Sequence, residues 1–182
     1  MSTKNTFWRW EKMPVVNELT VRTITVFDRD RDIVILKPND DMDAGPYLEG
    51  EIHTDQLNVM FDDELVLHAR FTECFEDKQD RDVTVRPVEF HLNDEQQDTE
   101  SWIHISIVGR VLAIDYQASA YTVDDDNSIK SIEHLVLDHA NIERSGMHIF
   151  RIYGFEDWIL VSDTLKQQLQ TMNISGMRFL PV

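Results

Sequence analysis

Cys74, in the run Phe-Thr-Glu-Cys-Phe-Glu-Asp, is the first residue to weigh as a nucleophile, with His68 or His91 as its base. A cysteine attacks as its thiolate, which needs positive charge nearby. Here Phe71 and Phe75 are apolar, and Glu73 and Glu76 add negative charge, so the thiol pKa should rise. A buried structural cysteine is expected. The seven histidines are scattered. His134 and His139 stand five apart, a spacing that suits neither one face of a helix nor one face of a strand. His104 alternates with isoleucines and so falls opposite the core face. No metal site is expected from them. Asp124 to Ser128 has the composition of a calcium loop without its spaced ligands, central glycine or closing glutamate. A solvated hairpin turn is the better account.

The sequence contains no G-x-S-x-G elbow, phosphate-binding G-x-x-x-x-G-K-[ST] loop, G-x-G-x-x-G, H-E-x-x-H or paired-cysteine motif. With six glycines in all, a glycine-rich cradle for a cofactor is hard to build, and no cofactor is expected. Close carboxylate pairs follow from 34 acidic residues by number alone, so they do not point to a glycosidase. The chain reads as non-enzymatic.

Charge narrows the partners. With 34 acidic and 17 basic residues the formal charge is −17, which repels phosphates and anionic membrane surfaces. Neither a nucleic acid nor a membrane is expected as partner. The acids gather in clusters at Asp28 to Asp32, Asp40 to Asp43, Phe61 to Glu64, Asn93 to Glu100 and Asp124 to Asp126, which read as loops. Any one cluster is accounted for as solvating surface. The sharper reading is that some meet a basic protein, with Asp40, Asp41, Asp43, Asp62, Asp63, Asp124, Asp125 and Asp126 as the contacts. Trp8 and Trp10 either pack the N-terminal segment onto the core, the favoured reading, or form an exposed aromatic anchor. The first residues carry charges where a secretion signal needs an apolar run, and no stretch reaches the roughly 20 apolar residues of a bilayer span. The lone cysteine cannot form an internal disulfide. A soluble cytoplasmic protein is expected.

The elements that must position these residues are mostly strands. At 182 residues and 42% hydrophobic, the chain can bury one full core without disulfides or a metal. Leu19 to Phe27 and Asp32 to Lys37, rich in β-branched residues and separated by a charged turn, predict a hairpin. In "DELVLHARFTECF" the spacing of Leu65, Ala69 and Thr72 favours a helix over a strand. Asp82 to Leu92 predicts a strand interrupted by Pro87, at an edge or a bulge. Ile103, Ile105 and Ile107 share one strand face, and Gly109 then permits a turn or bulge before a second strand in "RVLAIDYQAS". Further strands are expected in "SIKSIEHLVLDH", "MHIFRIYG" and "DWILVS". Ser162 is a good N-cap, Asp163 places negative charge in the first turn, and Leu165, Leu169 and Met172 form an apolar stripe. That helix should end near Asn173, with Gly176 reversing the chain into a strand over "MRFLPV". The expected fold is α+β: a strand-rich mixed or antiparallel sheet with a few helices, including a C-terminal helix packed on it. A soft seam near Asn93 to Glu100 suggests two parts of one compact unit or a small lobe, residues 1–101 and 102–182.

From Trp102 to Val182 the sequence resembles the C-terminal domain of a bacterial immunity protein family linked to polymorphic toxin systems. The matching features are Asp115-Tyr116 on a hydrophobic segment, Phe150-Arg151 on a strand, the helix start Val161 to Lys166, and the closing Gly176 to Pro181. The resemblance implies an antidote that binds and neutralises a cognate toxin delivered by a contact-dependent or type VI-like route. Negative charge and the lack of catalytic motifs are compatible with a basic, cytosol-acting target, such as a nuclease. Two other functions compete: a nucleic-acid mimic, and a small hydrolase with dispersed carboxylates or histidines.

Overall fold

In the computed structural model, which describes residues 6–13, 20–38, 48–49, 55–56, 58–60, 65–92, 95–97 and 102–182, the acidic run after Phe27 closes the expected hairpin. Strands β1 (Phe7–Lys12), β2 (Thr20–Asp28) and β3 (Ile33–Pro38) come first in the chain. β2 and β3 pair antiparallel from Thr23↔Pro38 to Asp28↔Ile33. Asp28 Oδ1 accepts from the N–H groups of Asp30 (3.0 Å) and Arg31 (3.2 Å), and Asp32 takes φ 53°. The acids here build the turn as well as solvating it.

There follow β4 (Leu48–Glu49), β5 (Asn58–Met60), β6 (Leu65–His68), β7 (Val83–Leu92), β8 (Glu95–Gln97) and β9 (Trp102–Ile107). Among the described residues they complete the larger sheet, in the order β4-β2-β3-β7-β9-β6, with β5 on β2 and β8 on β7. It is mixed: β3 runs parallel to β7, while β9 is antiparallel to both β7 and β6. The remaining elements are β10 (Arg110–Val111), β11 (Ala120–Val123), β12 (Ile129–His134), β13 (Ile149–Ile152), β14 (Phe155–Ser162) and β15 (Met177–Pro181), with helices α1 (His139–Ser145) and α2 (Asp163–Thr171). The smaller sheet has the order β10-β13-β14-β1-β15, and β11 and β12 form a separate two-stranded ribbon.

The smaller sheet draws on both ends of the sequence, while the larger lies within residues 20–107. β1 lies between β14 and β15, with Trp8↔Val161 and Trp10↔Phe179 in register, and β9 lies between β7 and β6. Alternation then sorts the core. Leu65, Leu67, Ile103, Ile105 and Ile107 from the larger sheet pack with Ile149, Ile159 and Val161 from the smaller one, and with Leu165 and Leu169 of α2. Phe150, Ile152 and Leu160 turn the other way, onto Val111, Ile114, Leu137 and Ile142. Val34, Leu36, Val66, Val88, Phe90 and Trp102 form a third cluster. Because β6 and β9 are covered on both faces, His104 is buried although it lies opposite the isoleucines.

The C-terminal elements follow the sequence closely. Ser162 Oγ accepts from the N–H of Leu165 (3.3 Å), Leu165 and Leu169 are fully buried, and Asn173 and Gly176 take φ 55° and 83°. Trp8 and Trp10 pack inward, Trp8 Nε1 donating to Asp163 (3.1 Å) and Trp10 Nε1 to Gln56 (3.2 Å).

Three expectations need correction. Leu65–His68 is a strand, and only Ala69–Cys74 is helical, as a 3-10 turn started by His68 Nδ1 accepting from Arg70 N–H. Three successive buried residues, Leu65, Val66 and Leu67, suit a strand covered on both sides better than one helix face. β7 runs unbroken through Pro87, which sits where pairing passes from β9 to β3, so its missing N–H falls at the end of a ladder. In "RVLAIDYQAS" only Arg110–Val111 is a strand. Ile114 makes a single bridge to Leu137, and Asp115 Oδ1 turns the chain by accepting from Gln117 and Ala118 N–H.

Candidate interaction surface

The ribbon β11–β12 carries the only predicted contact residues that fall within the described structure. Asp124, Asp125 and Asp126 are all exposed at its tip. The turn closes with Asp124 N–H donating to Ser128 O (2.9 Å), and Asn127 adopts φ 65°. Hydrogen bonds from the Ser128 side chain and N–H hold the Asp126 carboxyl below the ordinary carboxylate range. The other predicted contacts, Asp40, Asp41, Asp43, Asp62 and Asp63, lie outside the described residues.

The ribbon is anchored along one strand. Ile129 and Ile132 of β12 pack against the cluster containing Phe150 and Leu160. All four residues of β11 are exposed. Thr122 faces Ser131 across the ribbon, with their hydroxyls 2.7 Å apart, and alternation puts Tyr121 and Val123 on the opposite face, beside their register partners Ile132 and Ile129. Tyr116 meets Tyr121 edge to face, centroids 5.6 Å apart at 79°. Tyr116, Tyr121 and Val123 remain 45%, 37% and 48% exposed. At the ribbon's base, Ser119 Oγ both donates to Val136 O (3.2 Å) and accepts from Val136 N–H (2.9 Å), while Asp115 N–H donates to Val136 O (2.9 Å). Tyr116 was noted in the sequence only as a family marker, and Tyr121 and Val123 were missed because "YTV" alternates like any half-buried strand. Nothing local says that its apolar face stays uncovered.

The candidates for catalysis are placed differently. Burial pushes the Cys74 thiol up, the Glu73 charge adds to the rise, and the sulfur contacts Met172 Sδ at 3.4 Å. Ser162 Oγ lies 2.8 Å from His148 Nδ1, but the serine is 6% exposed and its oxygen caps α2. Three surface clefts among the described residues, of about 510, 440 and 260 Å³, have Cys74, Tyr153 and Trp158 respectively among their lining residues. In none of these three does a cysteine, serine or threonine stand with a histidine. Among the described residues no three histidine, cysteine or carboxylate side chains gather to hold a metal, and no helix is long and apolar enough to cross a membrane.

The model of a family described as "Immunity protein family (Imm11)" matches residues 47–182, beginning well before the Trp102 start of the resemblance read from the sequence. No curated protein matches the chain.

Proposed function

The chain belongs to the Imm11 immunity protein family, and from that premise we propose that it binds a cognate toxin in the cytoplasm and neutralises it by covering a basic surface. The family match carries this reading. The charge of −17 supports a basic target, because complementary fields accelerate encounter by roughly 10- to 1000-fold at low salt. The toxin arrives from neighbouring cells by a contact-dependent or type VI-like route. The chain acts as a non-enzymatic inhibitor, and its contacts come from Asp40, Asp41, Asp43, Asp62, Asp63, Asp124, Asp125 and Asp126.

The test is coexpression with the toxin encoded by the adjacent reading frame. Copurification, and survival of cells that the toxin alone kills, are expected. A toxin that neither binds this chain nor is restrained by it would overturn the proposal.

A further inference from the structure

We infer that the β11–β12 ribbon docks the toxin through the apolar face formed by Tyr116, Tyr121 and Val123, and that the occupant is a basic protein surface with an apolar depression ringed by lysine or arginine. The inference rests on the toxin-binding reading above and assigns it a surface.

Single exposed apolar side chains are ordinary on any protein. Here Tyr121 and Val123 share one face of β11, and Tyr116, in the turn before it, meets Tyr121 edge to face. Tyrosine is enriched among residues that dominate interface energies, since it offers a large amphipathic contact with few rotamers to freeze. The ribbon is also held in place before any partner arrives. Ile129 and Ile132 fix one strand to the core, and the Ser119 to Val136 hydrogen bonds fix its base. Such preorganisation lowers the ordering cost of association.

Charge selects the occupant. Between Ala120 and His134 the sequence has four carboxylates, Asp124, Asp125, Asp126 and Glu133, against one lysine. That lysine, Lys130, is engaged by Asp124 at 2.9 Å. A nucleic acid, an anionic membrane or an acidic protein would be repelled from this face, whereas lysines and arginines around an apolar notch would meet both the acids and the tyrosine rings.

The test uses the full chain and a catalytically inactivated form of the toxin encoded beside it. Tyr116→Ala and Tyr121→Ala are each expected to weaken binding by roughly 30-fold, mainly through faster dissociation. Thr122→Ala, on the opposite face, should leave affinity unchanged. Far-ultraviolet circular dichroism and the melting temperature of each variant check that the fold is intact. In the unmutated protein, toxin binding should slow hydrogen exchange at Tyr121 to Val123. If the wild-type chain binds but the tyrosine variants bind equally well and these amides gain no protection, the ribbon assignment is wrong and the toxin-binding reading stands. If the wild-type chain fails to bind at micromolar concentrations, the reading falls and the ribbon assignment falls with it.

Discussion

Asp55 shows how a single acid in a strongly acidic chain can be structural. Arg70 donates from Nε (3.0 Å) and Nη2 (2.8 Å) to its two oxygens, and Ser175 donates its N–H (2.9 Å) and hydroxyl (2.7 Å). Arg70 also reaches the carbonyls of Met172 and Asn173, so the pair ties the 3-10 turn to the end of α2. Burial by itself would raise the Asp55 pKa, but the Arg70 and Ser175 hydrogen bonds outweigh it and hold the carboxyl below its ordinary value. A depressed folded pKa contributes stability that is present above the unfolded value of about 4 and disappears as the pH falls through the lower folded value. Asp55→Asn should therefore flatten the fall in stability below about pH 5, measured by urea unfolding. Arg70→Ala should cost roughly 1–3 kcal/mol at neutral pH. Asp82 has a comparable role. It is fully buried, its Oδ2 accepts from His148 N–H (2.7 Å), and its carbonyl accepts from Val108 (3.0 Å) and Gly109 (2.9 Å). The sequence placed neither acid in a network, because their partners lie up to 120 residues away.

At the scale of elements, α2 was legible because its signals are local. The cap, the first-turn acid and the apolar stripe lie within ten residues of one another, and a helix makes its hydrogen bonds within its own segment. Ser162→Ala should cost about 1–2 kcal/mol, toward the upper end because the same hydroxyl also lies 2.8 Å from His148 Nδ1, and thermal unfolding measures it. Leu169→Ala should cost about 2–5 kcal/mol by emptying space in the main core. β6 was misread as helix because the spacing of Leu65, Ala69 and Thr72 favours one locally, and only pairing with β9 settles the matter. Gly109 was expected to serve a turn or bulge. A Cβ there would lie 3.0 Å from Ile149 O and 3.3 Å from Asp82 O, so the glycine serves the close approach of the β9–β10 connection to β13. Gly109→Ala is expected to destabilise by about 1–3 kcal/mol, since backbone atoms must move to admit the methyl group.

Across the whole molecule, charge should control the rate of toxin capture and tertiary contacts its lifetime. Neutralising the ribbon tip as Asp124→Asn, Asp125→Asn and Asp126→Asn together should slow association at low salt and change it little above about 0.5 M salt, where the Debye length is only a few ångström. Stopped-flow association rates across a salt series check this, and identical salt slopes for variant and wild type would remove the tip from the contact surface.

Local information in the sequence determined the first hairpin, the buried cysteine, the C-terminal helix with its returning strand, and the strand-rich α+β class. It also carried the family resemblance, two of whose markers, Val161 to Lys166 and Gly176 to Pro181, lie at the C-terminal helix and its returning strand. In each case the deciding interactions join residues close in sequence, or follow from side-chain period alone. The tertiary structure decided that β1 enters a sheet with the last strands of the chain, that β9 is buried on both faces, and that Asp55 and Asp82 are structural acids. It also decided that Tyr121 and Val123 stay exposed beside Ile132 and Ile129, which reach the core. Burial is a property of what arrives from elsewhere in the chain, and the pattern "YTVDDD" is the same whether or not anything arrives.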